Sequence, residues 1–445
     1  MKVAVVGAGA AGLAATHTLR KAGVDVTLFE STPYAGGRTR CYTKEGFILD
    51  VGAQFTGAVC NTQLGYAREF GFIDEVVKFP MEAGFWRDGK IYALPPSNLR
   101  GFIRHFDRLL KFRGIPLKAN LQMAKVFFQM FRRMINIDAS TMNPDGLIDL
   151  GDTSVAEFTL KHGGKEALEW GMRPATGAMT IGEAEDVAIT HLIALMGLYK
   201  GIYLMKRGMG SIVEALYQAN KDHIKLSTPI KEIVIENGQV KGVASSEGFM
   251  PADHVVCATT ASMALKLMPN LPNSIGRALA KVRYSSTVHV MVGMPERILP
   301  GNMYAMTIPS EAKSFLIALN DGSGKSEQMA PPGTGLGHLC TFGTRAPELM
   351  DMPDDEVVDR VIKEAARMGG NFRTKPIVAD VIRWKEAICL EAPGQFPAMY
   401  CMRRTAKDDV KGLHLAGEYN YLVSCVEGAM RSGVDASEEI LAQRS

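Results

Sequence analysis

The glycine pattern at the start of the chain limits its possible folds more than any other feature. A short β-branched run ends at Gly7, and Gly9 and Gly12 follow at the spacing of a strand-to-helix turn. Glycines at this spacing let the backbone approach a pyrophosphate, which then lies on the helix N-terminus, here at Ala10 and Ala11. The pattern predicts an α/β fold with a parallel sheet and a dinucleotide site.

Two segments after this turn narrow the dinucleotide to FAD. The second predicted strand ends at Glu30, whose carboxylate can accept both hydroxyls of an adenosine ribose without a 2′-phosphate. Gly36 and Gly37 bring the backbone near the phosphates again, and Arg38 adds a fixed cationic fork for an anionic oxygen. Nicotinamide enzymes do not need this extension, whereas FAD proteins commonly carry it.

A second small-residue turn is a candidate for contact with the flavin ring. Gly52, Ala53 and Gln54 would let the backbone approach a flat ring, and the same residues fit a buried turn equally well. Farther along, segment 254–259 is predicted to be a strand that rejoins the nucleotide-binding sheet. Ile230, in the strands before it, is expected to face the adenine.

The end of the chain mirrors its start. A short apolar strand is followed by a turn at Gly417 and Glu418, and small residues open the last helix around Gly428, Ala429 and Met430. The N–H groups and positive dipole end of such a helix can stabilise negative charge on the pyrimidine side of a reduced isoalloxazine. A capped surface helix is the alternative interpretation.

Size and composition limit the class of protein. The 445 residues are enough for two domains, and 47% apolar and 22% charged residues are typical of a globular protein. A net charge of +3 argues against nucleic acid as a partner. The nine histidines show no metal-binding spacing, so we expect no metal.

Cysteine usage and hydropathy favour a cytoplasmic protein. The seven cysteines are scattered and contain no CxxC pair, which suits a reducing compartment. The apolar N-terminus is accounted for as a strand, so it is a poor signal peptide. The longest apolar run, 187–199, contains His191 and is too short to span a bilayer.

Segment 98–136 combines basic and large apolar residues. The segment contains many lysines and arginines but only one acidic residue, Asp107, and aromatic residues are interleaved with the basic ones. Helices of this composition can lie on an anionic membrane surface or line the mouth of an apolar tunnel. They can also be ordinary helices with one solvated face and one core face, so both interpretations stay open.

Together these motifs resemble those of the flavin-containing amine oxidase superfamily. The superfamily includes monoamine and polyamine oxidases, protoporphyrinogen oxidases and phytoene desaturases. The resemblance covers essentially the whole chain, in order, through the segments Val3–Glu30, Gly36–Arg38, Leu49–Gln54, Gly208–Gly210, Cys257–Thr259, Ala416–Glu418 and Glu427–Ala429.

The resemblance implies a discontinuous domain organisation. A Rossmann-like FAD-binding domain of the GR2 type is expected over 1–80, 205–285 and 395–445. An inserted α+β domain that binds the substrate is expected over 81–204 and 286–394.

The resemblance also implies which residues hold the cofactor. Those at the ADP half are Gly7, Gly9, Gly12, Glu30 and Arg38. Those near the ribityl chain and isoalloxazine are Gly52, Ala53, Gln54, Glu418, Ala429 and Met430. FAD is expected to be non-covalent, because Cys389 is offset from the cysteine that tethers flavin in monoamine oxidases.

Two candidate groups point to different substrates. Amine-oxidising relatives flank the flavin with two aromatic side chains, but this chain has Cys425 at one place and Cys389 and Leu390 at the other. Tyr419 or Tyr421 could reach the same space. Lys266, by contrast, lies close to where amine oxidases place a lysine that holds a water near flavin N5; a solvated helix lysine is the alternative.

The middle of the chain favours an apolar substrate. Segments 86–95 and 154–158 look like those of protoporphyrinogen oxidases and isoprenoid desaturases. We therefore expect an FAD-dependent oxidoreductase that oxidises or desaturates a hydrophobic small molecule by hydride transfer to flavin N5, with oxygen or a quinone-like acceptor. An amine or amino-acid oxidase that releases hydrogen peroxide is one alternative, and a non-catalytic lipid- or prenyl-binding protein of the same fold is another.

Overall fold

A computed structural model of the chain describes residues 1–79, 82–93, 114–135, 137, 145–198, 201–406 and 408–443. Of the basic segment predicted over 98–136, positions 98–113 and 136 lie outside the described residues.

The described part of the chain contains helices and strands of ordinary length. The helices are α1 Ala10–Lys21, α2 Asn61–Glu69, α3 Leu117–Met134, α4 Val155–His162, α5 Lys165–Ala167, α6 Arg173–Thr180, α7 Ile189–Leu198, α8 Gly210–Asn220, α9 Ala261–Leu267, α10 Asn273–Leu279, α11 Asp354–Arg367, α12 Gln395–Thr405 and α13 Val426–Ala442. The strands are β1 Lys2–Val6, β2 Asp25–Phe29, β3 Cys41–Lys44, β4 Phe47–Asp50, β5 Thr56–Gly57, β6 Val76–Lys78, β7 Ala83–Arg87, β8 Lys90–Ala93, β9 Ile202–Met205, β10 Ile224–Lys225, β11 Ile230–Glu236, β12 Gln239–Ser245, β13 Gly248–Pro251, β14 His254–Cys257, β15 Thr287–Met294, β16 Ala305–Thr307, β17 Ala318–Asp321, β18 Gly335–Cys340, β19 Val378–Trp384 and β20 Leu413–Leu415.

A five-stranded parallel sheet carries the N-terminal glycine turn. Its strand order is β10-β2-β1-β14-β20, so the two ends of the chain lie in one sheet. The predicted return of segment 254–259 to this sheet is confirmed, since Val3 to Val6 pair with His254 to Cys257. Central strands buried on both faces read as continuous apolar runs, which is why β1 was recognisable in the sequence.

Helices and a small sheet cover the two faces of the parallel sheet. Val3 and Val5 face α1, α8 and α13, while Ala4 and Val6 face β11–β13, α9 and α12. This three-layer arrangement confirms the predicted α/β class.

A second, seven-stranded sheet forms the other large core. Its order is β19-β15-β18-β17-β16-β7-β8, with β16 and β7 parallel and the other pairs antiparallel. The hairpin around Asp88 and Gly89 is its edge pair, β7 and β8. The sheet combines residues 83–93 with 287–384, and the proposed domain boundaries stay a prediction.

Helices α3 to α7 pack around a separate apolar cluster. The cluster combines Val126 and Met130 of α3 with α4, α7 and segment 421–423 near the C-terminus. Ser154 and Glu157 form a capping box that begins α4. Among the described helices, none is long and apolar enough to cross a membrane.

The closest helix pair is α1 against α13. A β-carbon placed at Gly433 of α13 would overlap the carbonyl oxygen of Ala11, so the two backbones are in direct contact. The hydroxyl of Ser437 donates to the carbonyl oxygen of Ala15 at 3.1 Å. Met430 of α13 is buried in the same cluster as Ala11.

We expect Gly433→Ala to lower the free energy of unfolding by roughly 1–3 kcal/mol, because the added methyl group forces the two helices apart. Gly65→Ala in α2 is the matched control: no atom lies within 4 Å of its added β-carbon. The control should raise the free energy of unfolding by up to about 1 kcal/mol, since glycine weakens a helix. Urea unfolding followed by circular dichroism measures both, and equal effects of the two substitutions would contradict this packing.

Candidate functional site

The first glycine turn forms a cradle with open space in front of it. Gly7 has φ +102, a left-handed conformation that favours glycine, and a β-carbon at Gly12 would overlap the carbonyl oxygen of Gly7. A β-carbon at Gly9 would meet no atom within 4 Å. Gly9 is also the N-cap of α1 and has no side-chain cap, so the N–H groups of Ala10 and Ala11 lack intrahelical partners. This geometry fits an anionic phosphate.

Glu30 is held at the end of β2, beside the cradle. One carboxylate oxygen accepts from the backbone N–H of Ala8 at 2.8 Å, and the other accepts from the N–H of Thr32 at 2.9 Å. The N–H of Thr228 donates to the carbonyl oxygen of Glu30 at 2.7 Å, which brings the start of β11 close. Half-buried Ile230 follows on that strand, so Glu30 and Ile230 do lie in one region.

Gly36, Gly37 and Arg38 return to the cradle, as the sequence predicted. The N–H of Gly36 donates to the carbonyl oxygen of Ala8 at 2.8 Å, and a β-carbon at Gly37 would lie 3.4 Å from Cα of Gly9. The Arg38 guanidinium donates to the carboxylate of Glu418 at 2.6 Å. Arg38 is thus bound to an anion of the protein itself.

The turn at Gly52 lies against this arginine. The N–H of Ala53 donates to the carbonyl oxygen of Arg38 at 3.0 Å, and a β-carbon at Gly52 would overlap the same oxygen. Gln54 follows, and its side-chain carbonyl accepts from the ammonium of Lys325 at 3.1 Å. The structure therefore brings Arg38, Gly52, Ala53, Gln54 and Glu418 together.

Lys325 is a site residue that the sequence did not reveal. Its ammonium donates to the carboxylate of Asp50 at 2.7 Å, and both side chains are completely buried. The same carboxylate accepts from the N–H of Met209 at 2.9 Å. This buried ion pair ties Lys325, which lies between β17 and β18, to β4.

Helix α13 runs parallel to α1, and its first turns lie beyond the N-terminus of α1, since Gly433 and Ser437 contact Ala11 and Ala15. Cys425 is its N-cap, and the thiol sulfur accepts from the N–H of Gly428 at 3.5 Å. Glu427 accepts from the N–H groups of Thr62 and Gln63 at 2.8 and 3.0 Å, so it caps α2. Burial raises the pKa of Glu427 above its usual range.

The turn before α13 is fixed to the helix. The N–H of Gly417 donates to the hydroxyl of Ser432 at 2.8 Å. The next residue, Glu418, is the one whose carboxylate binds Arg38. Ala429 and Met430 are buried against the α1 cluster. The C-terminal residues predicted for the cofactor thus lie near the N-terminal ones.

The structure shows where the three candidate catalytic residues, Lys266, Tyr421 and Cys425, lie, and their catalytic roles stay a prediction. Lys266 is exposed on α9, whereas the lysine buried beside Gln54 is Lys325. The Tyr421 hydroxyl is bound to Asp435 of α13, so it is committed to that helix. Cys425 is a helix cap.

Three comparisons relate the chain to known proteins. The family model of flavin-containing amine oxidoreductases matches residues 10–441, nearly the whole chain. The chain belongs to this family. Membership confirms the family resemblance found in the sequence.

Other flavin-containing oxidoreductases are similar over part of the sequence. An L-amino-acid oxidase of Sistrurus catenatus edwardsii is 25% identical over 308 residues, 65% of this chain and 57% of that protein. A 4,4'-diapophytoene desaturase of Staphylococcus aureus strain Newman is 25% identical over 301 residues, 61% of this chain and 57% of that protein. The chain thus spans 57% of the length of these curated relatives.

Solved structures share the fold over nearly the full chain. A protein of Exiguobacterium sp. 255-15, provisionally named a protoporphyrinogen oxidase, matches with a TM-score of 0.80 over 99% of both chains. The two sequences are 17% identical, so this similarity shows the fold alone.

We expect Lys325→Met to lower the free energy of unfolding by about 3–5 kcal/mol, because it leaves the Asp50 carboxylate buried without a counter-ion. The double variant Asp50→Asn, Lys325→Met removes both charges and should recover much of that loss. Denaturant unfolding of the two variants measures the difference. A double variant no more stable than Lys325→Met would show that the ion pair does not act as a unit.

Proposed function

We propose that this chain is an FAD-dependent oxidoreductase that oxidises or desaturates a hydrophobic small molecule. The observation that carries the proposal is the chemistry around Gln54, where aromatic side chains lie next to charges that are already paired.

Aromatic side chains pack beside the Gly52–Gln54 turn. Phe55 stacks on Phe79 with ring centroids 5.7 Å apart, and Tyr304 contacts both rings edge-on at 5.2 and 5.4 Å. Rings in this arrangement give a rigid apolar wall that excludes water. Such a wall suits an apolar substrate.

Both cations near the turn are paired with protein carboxylates. Lys325 is bound to Asp50, and Arg38 is bound to Glu418. An amino-acid substrate needs a cation for its carboxylate, and taking one of these would leave a buried anion unpaired, at high cost. Paired charges therefore favour an apolar substrate over an amino acid.

FAD, when bound, accepts a hydride equivalent from a substrate carbon at N5 and passes the electrons to oxygen or a quinone-like acceptor. The open cradle at Gly9 and the N–H groups of α1 suit its phosphates, and Glu30 suits its ribose. The N-terminal dipole of α13 would stabilise negative charge that develops on the ring near Ala429 and Met430. The aromatic residues would keep water from the reacting carbon.

An amine or amino-acid oxidase is the second candidate, and the similarity to a snake L-amino-acid oxidase favours it. The two candidates differ in which compound bleaches the flavin. Anaerobic mixing of the holoprotein with apolar alkenes, porphyrinogens, amines and amino acids decides between them. We expect bleaching by members of the first two groups, whereas bleaching by amines or amino acids alone, with peroxide on admission of air, would overturn the proposal.

Gly9→Ala tests the position of the cofactor. The added methyl group meets no protein atom within 4 Å, so it should leave the unfolding free energy of the apoprotein nearly unchanged. It would occupy the space assigned to the phosphates, so we expect loss of the yellow flavin absorbance after purification. Gly276→Ala on α10, which is equally open, should keep the flavin. A fully loaded Gly9→Ala protein would contradict the cradle.

We also propose that α3 contacts a membrane surface. Leu117, Leu121, Phe128, Phe131 and Ile135 follow one another at helical spacing, and each exposes more than half of its side chain. Lys118 and Lys125 lie on the same helix, which gives positive charge next to an apolar stripe. An anionic lipid surface is complementary to both.

Phe128→Glu should reduce co-sedimentation with vesicles of phosphatidylcholine and phosphatidylserine several-fold, because it adds a repelled charge and removes apolar area. Phe249→Glu is the matched control: Phe249, at 52% exposure against 59% for Phe128, lies on β13. The control should bind like the wild type. Equal binding by all three proteins, or none by the wild type, would contradict membrane contact through α3.

A further inference from the structure

A pair of buried histidines lies beside Gln54. His289 of β15 and His338 of β18 are each 2% exposed, and their ring centroids are 5.3 Å apart. Nδ1 of His338 lies 3.2 Å from Nε2 of His289 and 3.5 Å from the side-chain nitrogen of Gln54. The pair thus adjoins the turn assigned to the flavin ring.

The hydrogen bonds fix which ring nitrogens carry protons. Nδ1 of His289 lies 3.2 Å from the carbonyl oxygen of Val51, which can only accept, so Nδ1 carries the proton and donates. Burial lowers the pKa of His289 to about 4, so its Nε2 is bare at neutral pH. His338 must then donate from Nδ1 to that nitrogen at 3.2 Å, and its longer 3.5 Å contact with the Gln54 side-chain nitrogen, itself a donor, is not a hydrogen bond in this tautomer. A neutral His338 therefore has a bare Nε2.

This bare nitrogen is unsatisfied. Nε2 of His338 is buried and has no hydrogen-bond partner in the described part of the chain. Buried polar atoms without a partner are rare and often mark a catalytic or redox role. In the described part of the chain, this basic nitrogen is shielded from solvent and accepts no hydrogen bond.

The charges around His338 explain why it stays neutral in the resting protein. His289 faces it from β15, Lys325 from the turn after β17, and Asp50 of β4 neutralises that lysine. Asn320 of β17 pairs with it and carries no charge. Burial, followed by His289 and Lys325, lowers the pKa of His338 well below its usual range. A new negative charge close by would oppose all of these effects.

We propose that His338 takes up a proton at Nε2 when the bound flavin is reduced. The inference rests on the proposed function, in which the flavin lies at the Gly52–Gln54 turn. A substrate that gains a double bond loses two electrons and two protons. The cofactor receives both electrons and one proton, and His338 receives the other proton. His338 returns this proton when the electrons pass to the acceptor, so every atom and electron is accounted for.

The pH dependence of the flavin midpoint potential tests this role without a substrate. The holoprotein is photoreduced against reference dyes between about pH 7 and 9. Two protons per two electrons change the equilibrium constant hundredfold per pH unit, about 60 mV, whereas one proton changes it tenfold, about 30 mV. We expect the larger slope in the wild type and the smaller one in His338→Gln. The matched control His254→Gln, on half-buried His254 of β14, should keep the wild-type slope.

A second measurement, on the wild type, tests the proposal if the His338→Gln protein does not fold. Photoreduction of unbuffered wild-type holoprotein with a pH indicator should consume two protons per flavin, and the spectrum of the reduced flavin shows whether the cofactor itself holds the second one. Three results would overturn the role of His338 but leave the proposed function standing. They are uptake of only one proton, a second proton on the flavin, and equal slopes in the wild type and His338→Gln. A colourless protein without flavin would instead overturn the proposed function, and this inference with it.

Discussion

The backbone contact between α1 and α13 is the constraint on which the rest of the site depends. Because Gly433 lies directly on the Ala11 carbonyl, no side chain separates the two helices at this point, and their N-terminal ends point in the same direction. Both ends carry N–H groups without intrahelical partners and a positive dipole. Residues from opposite ends of the sequence thus create one anion-attracting surface, which suits a long ligand with phosphates at one end and an electron-accepting ring at the other.

The ion pair of Asp50 and Lys325 is a second constraint, and it joins three segments. Asp50 ends β4, Lys325 follows β17, and Met209 donates to the same carboxylate from the turn before α8. Burying two charges is costly, so the pair contributes little net stability as a whole, yet breaking it is expensive. Its value here is geometric: it fixes the Lys325 ammonium on the Gln54 amide, next to the aromatic wall.

Local sequence was enough for the elements that local physics determines. The glycine turn, Glu30 and the small residues of α13 could be recognised because each meets a steric or dipolar requirement within a few positions. Lys325 could not, because its partner is 275 positions away and its own segment is rich in glycine and serine. Lys266 was chosen instead because of its spacing from a strand, which does not determine which face of α9 it occupies. The role of Tyr421 stays a prediction; its hydroxyl is bound to Asp435, 14 positions away, a contact that local sequence does not show.

The distribution of charge around the Gly52 turn connects these constraints to chemistry. In the resting protein the strong charges there are paired: Arg38 with Glu418, and Lys325 with Asp50. The two histidines are neutral, and the walls are aromatic. In a site balanced in this way, the dipole of α13 and a base that can still bind a proton are available to compensate the charge that arrives with two electrons. Because His338 has a bare nitrogen and no partner within the described chain, it is the group whose state that charge can change. The arrangement therefore links electron arrival to proton uptake through electrostatics alone, without any movement of the backbone.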